Sequence, residues 1–273
     1  MSKEMSNMKT VTSKDGTRIA YDQSGQGEPV ILVNGAFSFR HFSGSVELAN
    51  LLSKNFTVLN YDRRGRGDSG DTKPYAVERE IEDLAALIQA AGGSAHLWGL
   101  SSGAVLALKA AASGLNIKKM ALYDPAYRID HSGPLPPSDF QQHVTALIAA
   151  DRRGEAVRYF MTKGMGAPGF VVTIMRLLPV WKRLTAVANT LPYDAAMLAD
   201  HIPGQPFPAD KWSSVTVPTL VMTGDKAVVS LQNTAQALAQ ALPNAGFRSL
   251  AGLSHTNIDM KVIAPVVTEF LSR

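Results

Sequence analysis

The chain of 273 residues contains no cysteine. Disulfide bonds, thiol nucleophiles and metal sites with cysteine ligands are therefore excluded. Long apolar runs are also missing, since no segment reaches the roughly 18 consecutive apolar residues of a membrane-spanning helix. The polar start, MSKEMSNMKT, lacks the apolar core of a secretion signal. We therefore expect a cytoplasmic protein with no membrane partner.

Charged residues are few, and neither sign is in large excess. Asp, Glu, Lys and Arg together make up 18% of the residues, and the formal net charge is +4. The dense basic cluster Arg63, Arg64 and Arg66 lies in a glycine-rich turn. Nucleic-acid-binding proteins instead present a broad basic face with stacking aromatic side chains. With 45% hydrophobic residues, the composition predicts a globular protein with no nucleic-acid partner.

Short apolar, β-branched segments alternate with longer helical patterns along most of the chain. Strands are predicted at residues 17–22, 29–33, 56–61, 95–99, 119–123, 219–223 and 246–250. Helices are predicted at residues 77–91, 102–112, 232–242 and 262–271. This alternation is typical of a parallel β-sheet covered by helices, and thus of an α/β fold.

The alternation breaks between residues 125 and 208. This segment contains helical patterns at residues 140–150, 154–162 and 170–189 but no convincing strand. We therefore expect a core formed by residues 1–124 and 209–273. Residues 125–208 are predicted to form a helical insertion above the sheet.

The strongest local signal is the sequence GLSSG at residues 99–103, between a predicted strand and a predicted helix of small residues. It is the G-x-S-x-G pattern in the strand–turn–helix context that this pattern requires. The sharp turn would expose the hydroxyl of Ser101, which is the predicted nucleophile. The backbone N–H of Ser102, at the start of the helix, is predicted to stabilise an oxyanion.

A serine hydroxyl is a weak nucleophile without a neighbouring base. Among six histidines, His255 stands in the loop after the last predicted strand. The carboxyl ends of parallel strands gather at one sheet edge, so His255 is predicted to reach Ser101 as general base. His41 follows the loop after the strand PVILV and is a candidate for the substrate pocket.

A second oxyanion donor is expected from the loop NGAF at residues 34–37. We predict the N–H of Ala36, because Gly35 lets the chain turn so that the next amide points inward. The neighbouring Phe37 is predicted to line the substrate pocket.

The ordered motifs NGAF, DRRGRGDS, GLSSG and GLSH resemble those of the α/β-hydrolase fold family, from about residue 17 to the end of the chain. The resemblance implies a mostly parallel, eight-stranded sheet flanked by helices, with a helical cap inserted after the sixth strand. The insertion at residues 125–208 stands in the matching place. Family members often carry His-Gly where this chain has Asn34-Gly35, which is tolerable because the donor is a backbone group.

The acid of the triad is where the chain departs from the family pattern. Many members carry an aspartate after the seventh strand, and the ungapped counterpart here is Ala227, two residues beyond Asp225. Asp124 directly follows the sixth predicted strand, where certain lactonase-like and dehalogenase-like branches place their acid. Either carboxylate would orient His255 and stabilise its cationic form. We favour Asp124 and keep Asp225 as the alternative.

Together these residues predict hydrolysis of a small carboxylic ester or lactone through an acyl-enzyme on Ser101, with no cofactor. Carbon–carbon bond hydrolysis and cofactor-free perhydrolysis use similar machinery and stay open. A ligand receptor of the same fold also stays open, because such proteins can retain the triad. Serine at position 101 argues against epoxide hydrolases and haloalkane dehalogenases, which resemble this family but use aspartate.

Overall fold

An eight-stranded β-sheet forms the centre of the computed structural model, which describes residues 8–273. The strands are β1 (Met8–Thr12), β2 (Arg18–Ser24), β3 (Pro29–Val33), β4 (Thr57–Tyr61), β5 (Ala95–Leu100), β6 (Ile117–Tyr123), β7 (Thr219–Gly224) and β8 (Ala245–Leu250). Their order in the sheet is β1-β2-β4-β3-β5-β6-β7-β8. The β1–β2 and β2–β4 pairs are antiparallel, and the other neighbouring pairs are parallel.

Helices cover both faces of the sheet and fill the segment between β6 and β7. The helices of the core are α1 (Ser43–Leu52), α2 (Val77–Ala90), α3 (Ser102–Ala112), α9 (Val229–Ala241) and α10 (Met260–Ser272). The helices between β6 and β7 are α4 (Phe140–Ala149), α5 (Arg153–Tyr159), α6 (Gly169–Met175), α7 (Pro179–Ala186) and α8 (Leu191–Leu198), with a π-helical turn at Phe160–Gly164 and a 3₁₀ turn at Ala188–Thr190.

The central strands are apolar on both faces because each face carries its own hydrophobic core. In β3, Ile31 and Val33 point into the core under α2, α3 and α9, whereas Val30 and Leu32 point into the core under α1 and α10. Successive side chains of a strand alternate between the two faces, so an unbroken apolar run is what a doubly covered strand needs. The predicted mostly parallel sheet is confirmed.

Two elements of the core were missing from the sequence prediction. Strand β1 lies at the edge of the sheet, and most of its side chains are exposed, so it lacks an apolar pattern. Helix α1 buries only Leu48, Leu52 and two small residues on one face. Sparse burial leaves little periodicity in a sequence.

The single helix predicted at residues 170–189 is wrong. The segment divides into α6, α7 and the 3₁₀ turn. The break falls at Leu178, whose backbone is extended (φ −100°, ψ 152°). A residue that precedes proline avoids the helical conformation, and Pro179 then begins α7.

The segment between β6 and β7 builds a third hydrophobic core of its own. Val144, Val157 and Leu184 are buried there, together with Phe37 from the loop after β3. Met197 of α8 instead joins the core beneath the sheet. Helix α8 therefore lies at the seam between this segment and the sheet.

Candidate active site

Ser101 occupies a strained turn between β5 and α3. Its backbone has φ 56° and ψ −122°, which is a rare conformation for a residue with a side chain. A Cβ at Gly99 would lie 2.6 Å from the Cα of Ala104, and one at Gly103 would lie 2.1 Å from the carbonyl oxygen of Val33. The glycines of the motif are thus required for the close passage of strand, turn and helix.

His255 and Asp124 form a hydrogen-bonded pair at the same sheet edge. Nδ1 of His255 lies 3.1 Å from Oδ2 of Asp124. Asp124 follows β6 directly, is completely buried and has a positive φ of 44°. The pairing engages Nδ1 and leaves Nε2 of His255 to interact with another group.

Asp225 has a different environment. It is exposed, and its Oδ1 accepts a hydrogen bond of 2.7 Å from the backbone N–H of Gly252. Gly252 lies three residues before His255, so Asp225 shapes the loop that carries the histidine. The structure therefore pairs His255 with Asp124 and not with Asp225.

The loop after β3 passes directly against the nucleophile turn. A Cβ at Gly35 would lie 3.0 Å from the Cβ of Ser101 and 2.9 Å from the carbonyl oxygen of Leu100. Within residues 8–273, the N–H of Ala36 donates to no acceptor. The N–H of Ser102 is the first of α3, and the first amides of a helix have no partner within it. Both predicted donors thus lie in segments next to Ser101: Ala36 in the loop after β3 and Ser102 at the start of α3.

The two predicted pocket residues lie in different places. Phe37 is buried and contacts Phe160 edge-on, with ring centroids 5.5 Å apart. His41 is exposed and lines a cavity of about 580 Å³ along α1, whose lining includes neither Ser101 nor His255. The lining of this cavity therefore does not connect His41 with the nucleophile turn.

A buried ionic cluster beside the nucleophile turn was missed by the sequence analysis. Asp194 of α8 is completely buried and contacts Arg63, Arg66 and Ser102. Burial opposes the ionised form of Asp194, but the two guanidinium groups and the Ser102 hydroxyl outweigh it and lower the pKa of its carboxyl. The basic cluster at residues 63–66 was visible in the sequence. Its contact with Asp194 was not, because Asp194 lies more than a hundred residues further along the chain.

Comparison with known proteins agrees with this architecture. Residues 30–261 match the Alpha/beta hydrolase family. The chain belongs to that family. A crystal structure of an alpha/beta hydrolase from Sphaerobacter thermophilus has 51% sequence identity and a TM-score of 0.89, and the match covers 96% of this chain and all of that one. The present alpha/beta hydrolase therefore has a close structural counterpart along nearly its whole length.

More distant relatives share the fold of this alpha/beta hydrolase. The enol-lactonase from Burkholderia xenovorans LB400 has 24% identity and a TM-score of 0.67, with 97% of this chain and 100% of that chain covered. A putative non-heme bromoperoxidase, BpoC of Mycobacterium tuberculosis, is 21% identical over 244 residues, which are 87% of this chain and 90% of the relative.

No helix within residues 8–273 is long and apolar enough to cross a membrane. The same residues contain no group of three or more His, Asp or Glu side chains that could hold a metal ion.

Proposed function

We propose that this alpha/beta hydrolase cleaves a small carboxylic ester or lactone through an acyl-enzyme on Ser101. The observation that carries the proposal is the contact of 3.1 Å between His255 and the buried Asp124. It lies at the sheet edge where the strained Ser101 turn also ends. A base that is oriented by a buried carboxylate and has a free nitrogen within reach of the hydroxyl is the arrangement that activates a serine nucleophile.

In the proposed reaction, Nε2 of His255 takes the proton from Ser101 as Oγ attacks the carbonyl carbon. The N–H groups of Ala36 and Ser102 hold the oxyanion of the tetrahedral intermediate. The intermediate collapses when the imidazolium gives its proton to the departing alkoxide. A water molecule, deprotonated by the same histidine, then attacks the acyl carbon, and the acid leaves as Ser101 recovers its proton.

Asp124 is the proposed acid of this triad. Its carboxylate would fix the tautomer that leaves Nε2 free and would stabilise the imidazolium during the reaction. Complete burial of the Asp124 carboxylate lowers the local dielectric and so strengthens its attraction to the imidazolium that forms during the reaction. Asp225 is assigned the role of shaping the histidine loop through Gly252.

We further propose that residues 125–208 form a cap over the site. Support comes from Phe37, next to the proposed oxyanion donor, whose ring belongs to the hydrophobic core of this segment. The apolar surroundings of Phe37 favour an apolar acyl or alcohol portion in the substrate. The enol-lactonase among the structural relatives makes lactones a natural part of the substrate panel.

Hydrolysis of short p-nitrophenyl esters and of simple lactones tests the proposal. We expect measurable turnover by the wild type and a loss of about 10⁴-fold or more in Ser101→Ala. Ser113→Ala, which changes an exposed serine at the end of α3, is the matched control and should retain full activity. A protein that binds a lactone without turning it over would be a receptor, and that result would contradict the proposal.

A further inference from the structure

The carboxylate of Asp194 is connected by hydrogen bonds to the residues that carry both proposed oxyanion donors, although it comes from the segment between β6 and β7. Its Oδ1 accepts hydrogen bonds of 2.7 Å from Ser102 Oγ and of 2.7 Å from Arg63 Nη1. Its Oδ2 accepts one of 2.6 Å from Arg66 Nη2. All four side chains are buried. One acidic group thus holds a residue of the nucleophile turn and two guanidinium groups at once.

Arg66 connects Asp194 with the peptide unit of the second proposed donor, Ala36. Its Nη1 donates to the carbonyl oxygen of Gly35 at 2.6 Å and to that of Ser38 at 3.1 Å. The carbonyl of Gly35 and the N–H of Ala36 belong to the same peptide unit. Because a trans peptide is planar, its C=O and N–H point in opposite directions. A guanidinium that holds the carbonyl on one side therefore aims the Ala36 N–H toward the other side.

A hydrogen bond accepted by a peptide carbonyl also polarises the N–H of the same unit, which makes it a better donor. The Ser102 hydroxyl donates directly to Asp194. This hydrogen bond limits movement of Ser102, whose backbone N–H is the other proposed donor. Asp194 therefore touches one donor residue directly and the other through Arg66.

We propose that Asp194 is a positioning residue that sets the geometry of the oxyanion hole, and that the seating of α8 on the core thereby controls catalysis. This inference rests on the proposed function. Arg66 Nε also donates to Thr190 Oγ1 at 3.0 Å, so the chain just before α8 takes part in the same contact. Movement of α8 away from the core would release Ser102 and the guanidinium that holds the Gly35 peptide.

The test compares Asp194→Asn with Asp83→Asn. Asp83 is the matched control because it is equally buried and accepts two hydrogen bonds, of 2.8 and 2.7 Å, from the neighbouring Arg64. Both variants remove a buried negative charge beside an arginine and should lower the melting temperature. Of these two aspartates, Asp194 contacts Ser102, whereas Asp83 is bonded to Arg64.

We expect kcat of Asp194→Asn on a p-nitrophenyl ester to fall about 10- to 100-fold, which is less than the complete loss of one oxyanion donor causes. The inhibition constant of a trifluoromethyl ketone, whose adduct carries an oxyanion, should rise in parallel, and KM should change little. Asp83→Asn should keep both kcat and the inhibition constant within about threefold of wild type, since it leaves the donors in place. All measurements are made below the melting temperature of each variant.

Equal kcat in the two variants, or an unchanged inhibition constant in Asp194→Asn, would overturn the inference. If Asp194→Asn does not fold, Ser102→Ala carries the test, because it removes one hydroxyl and keeps the backbone donor. We expect its kcat to fall about 3- to 10-fold with a matching rise in the inhibition constant, and no change would refute the role of Asp194. A wild type without esterase or lactonase turnover would defeat the proposed function and this inference together. An active wild type with an unaffected Asp194→Asn would defeat the inference alone.

Discussion

Replacing each candidate acid by asparagine separates the two assignments of the triad carboxylate. Asp124 is fully buried and contacts Nδ1 of His255 at 3.1 Å, whereas Asp225 is exposed and contacts only the backbone of the histidine loop. An amide at position 124 would keep the shape of the side chain. It would remove the charge that stabilises the imidazolium and would allow the tautomer with the proton on Nε2, which cannot accept the serine proton.

The expected loss in kcat for Asp124→Asn is about 10⁴-fold, the effect of the same change in a serine protease triad. At about 1.36 kcal/mol for each factor of ten, this is about 5.5 kcal/mol of transition-state stabilisation. Asp225→Asn keeps an acceptor for the Gly252 N–H at an exposed position. The cost there should be below about 1 kcal/mol, so kcat should stay within about fivefold of wild type.

Steady-state hydrolysis of a p-nitrophenyl ester measures both variants, and thermal denaturation shows that both are folded. The reverse ranking, with the large loss in Asp225→Asn, would refute the argument from the observed hydrogen bonds. Near wild-type rates in both variants would show that neither carboxylate orients the catalytic base.

Three further predictions concern stability. Gly103→Ala should lower the free energy of unfolding by about 3 kcal/mol, because its Cβ would lie 2.1 Å from the carbonyl oxygen of Val33. Gly246→Ala, whose Cβ would meet nothing closer than 3.8 Å, is the control, and equal urea midpoints for the two variants would contradict this prediction. Phe160→Ala should cost about 3–5 kcal/mol, because the ring is buried in the core between β6 and β7, and a loss below about 1 kcal/mol in urea denaturation would show that this core is loose. Burial lowers the pKa of His96 from its ordinary value of 6.5, so below about pH 6.5 the unfolded chain binds more protons than the folded one. The free energy of unfolding should therefore fall as the pH falls. Between about pH 7 and pH 5 it should change less steeply with pH in His96→Asn than in the wild type, and equal slopes would rule out this contribution.

Local sequence patterns were sufficient for two features that a short continuous stretch determines. The apolar run of β3 and the GLSSG turn were both predicted, because strand burial and the steric demand for glycine act over a few neighbouring residues. For the partner of His255, the sequence left both Asp124 and Asp225 open, since the pairing depends on how two loops meet at the sheet edge.

Contacts between distant stretches set the limit of prediction. Asp194 has no local motif, and its role is visible only where α8 meets Arg63 and Arg66. His41 is predicted in the pocket because it follows the oxyanion loop, but it is exposed and lines a cavity whose lining does not include Ser101. Sequence spacing does not encode the direction in which a side chain points.

Covalent labelling of Ser101 tests the central claim most directly. A fluorophosphonate probe, followed by peptide mass spectrometry, should find the label on Ser101 of the wild type, and His255→Ala should react far more slowly because its serine has lost the proposed base. Full-rate labelling of His255→Ala, or a wild type that reacts elsewhere or not at all, would contradict the account.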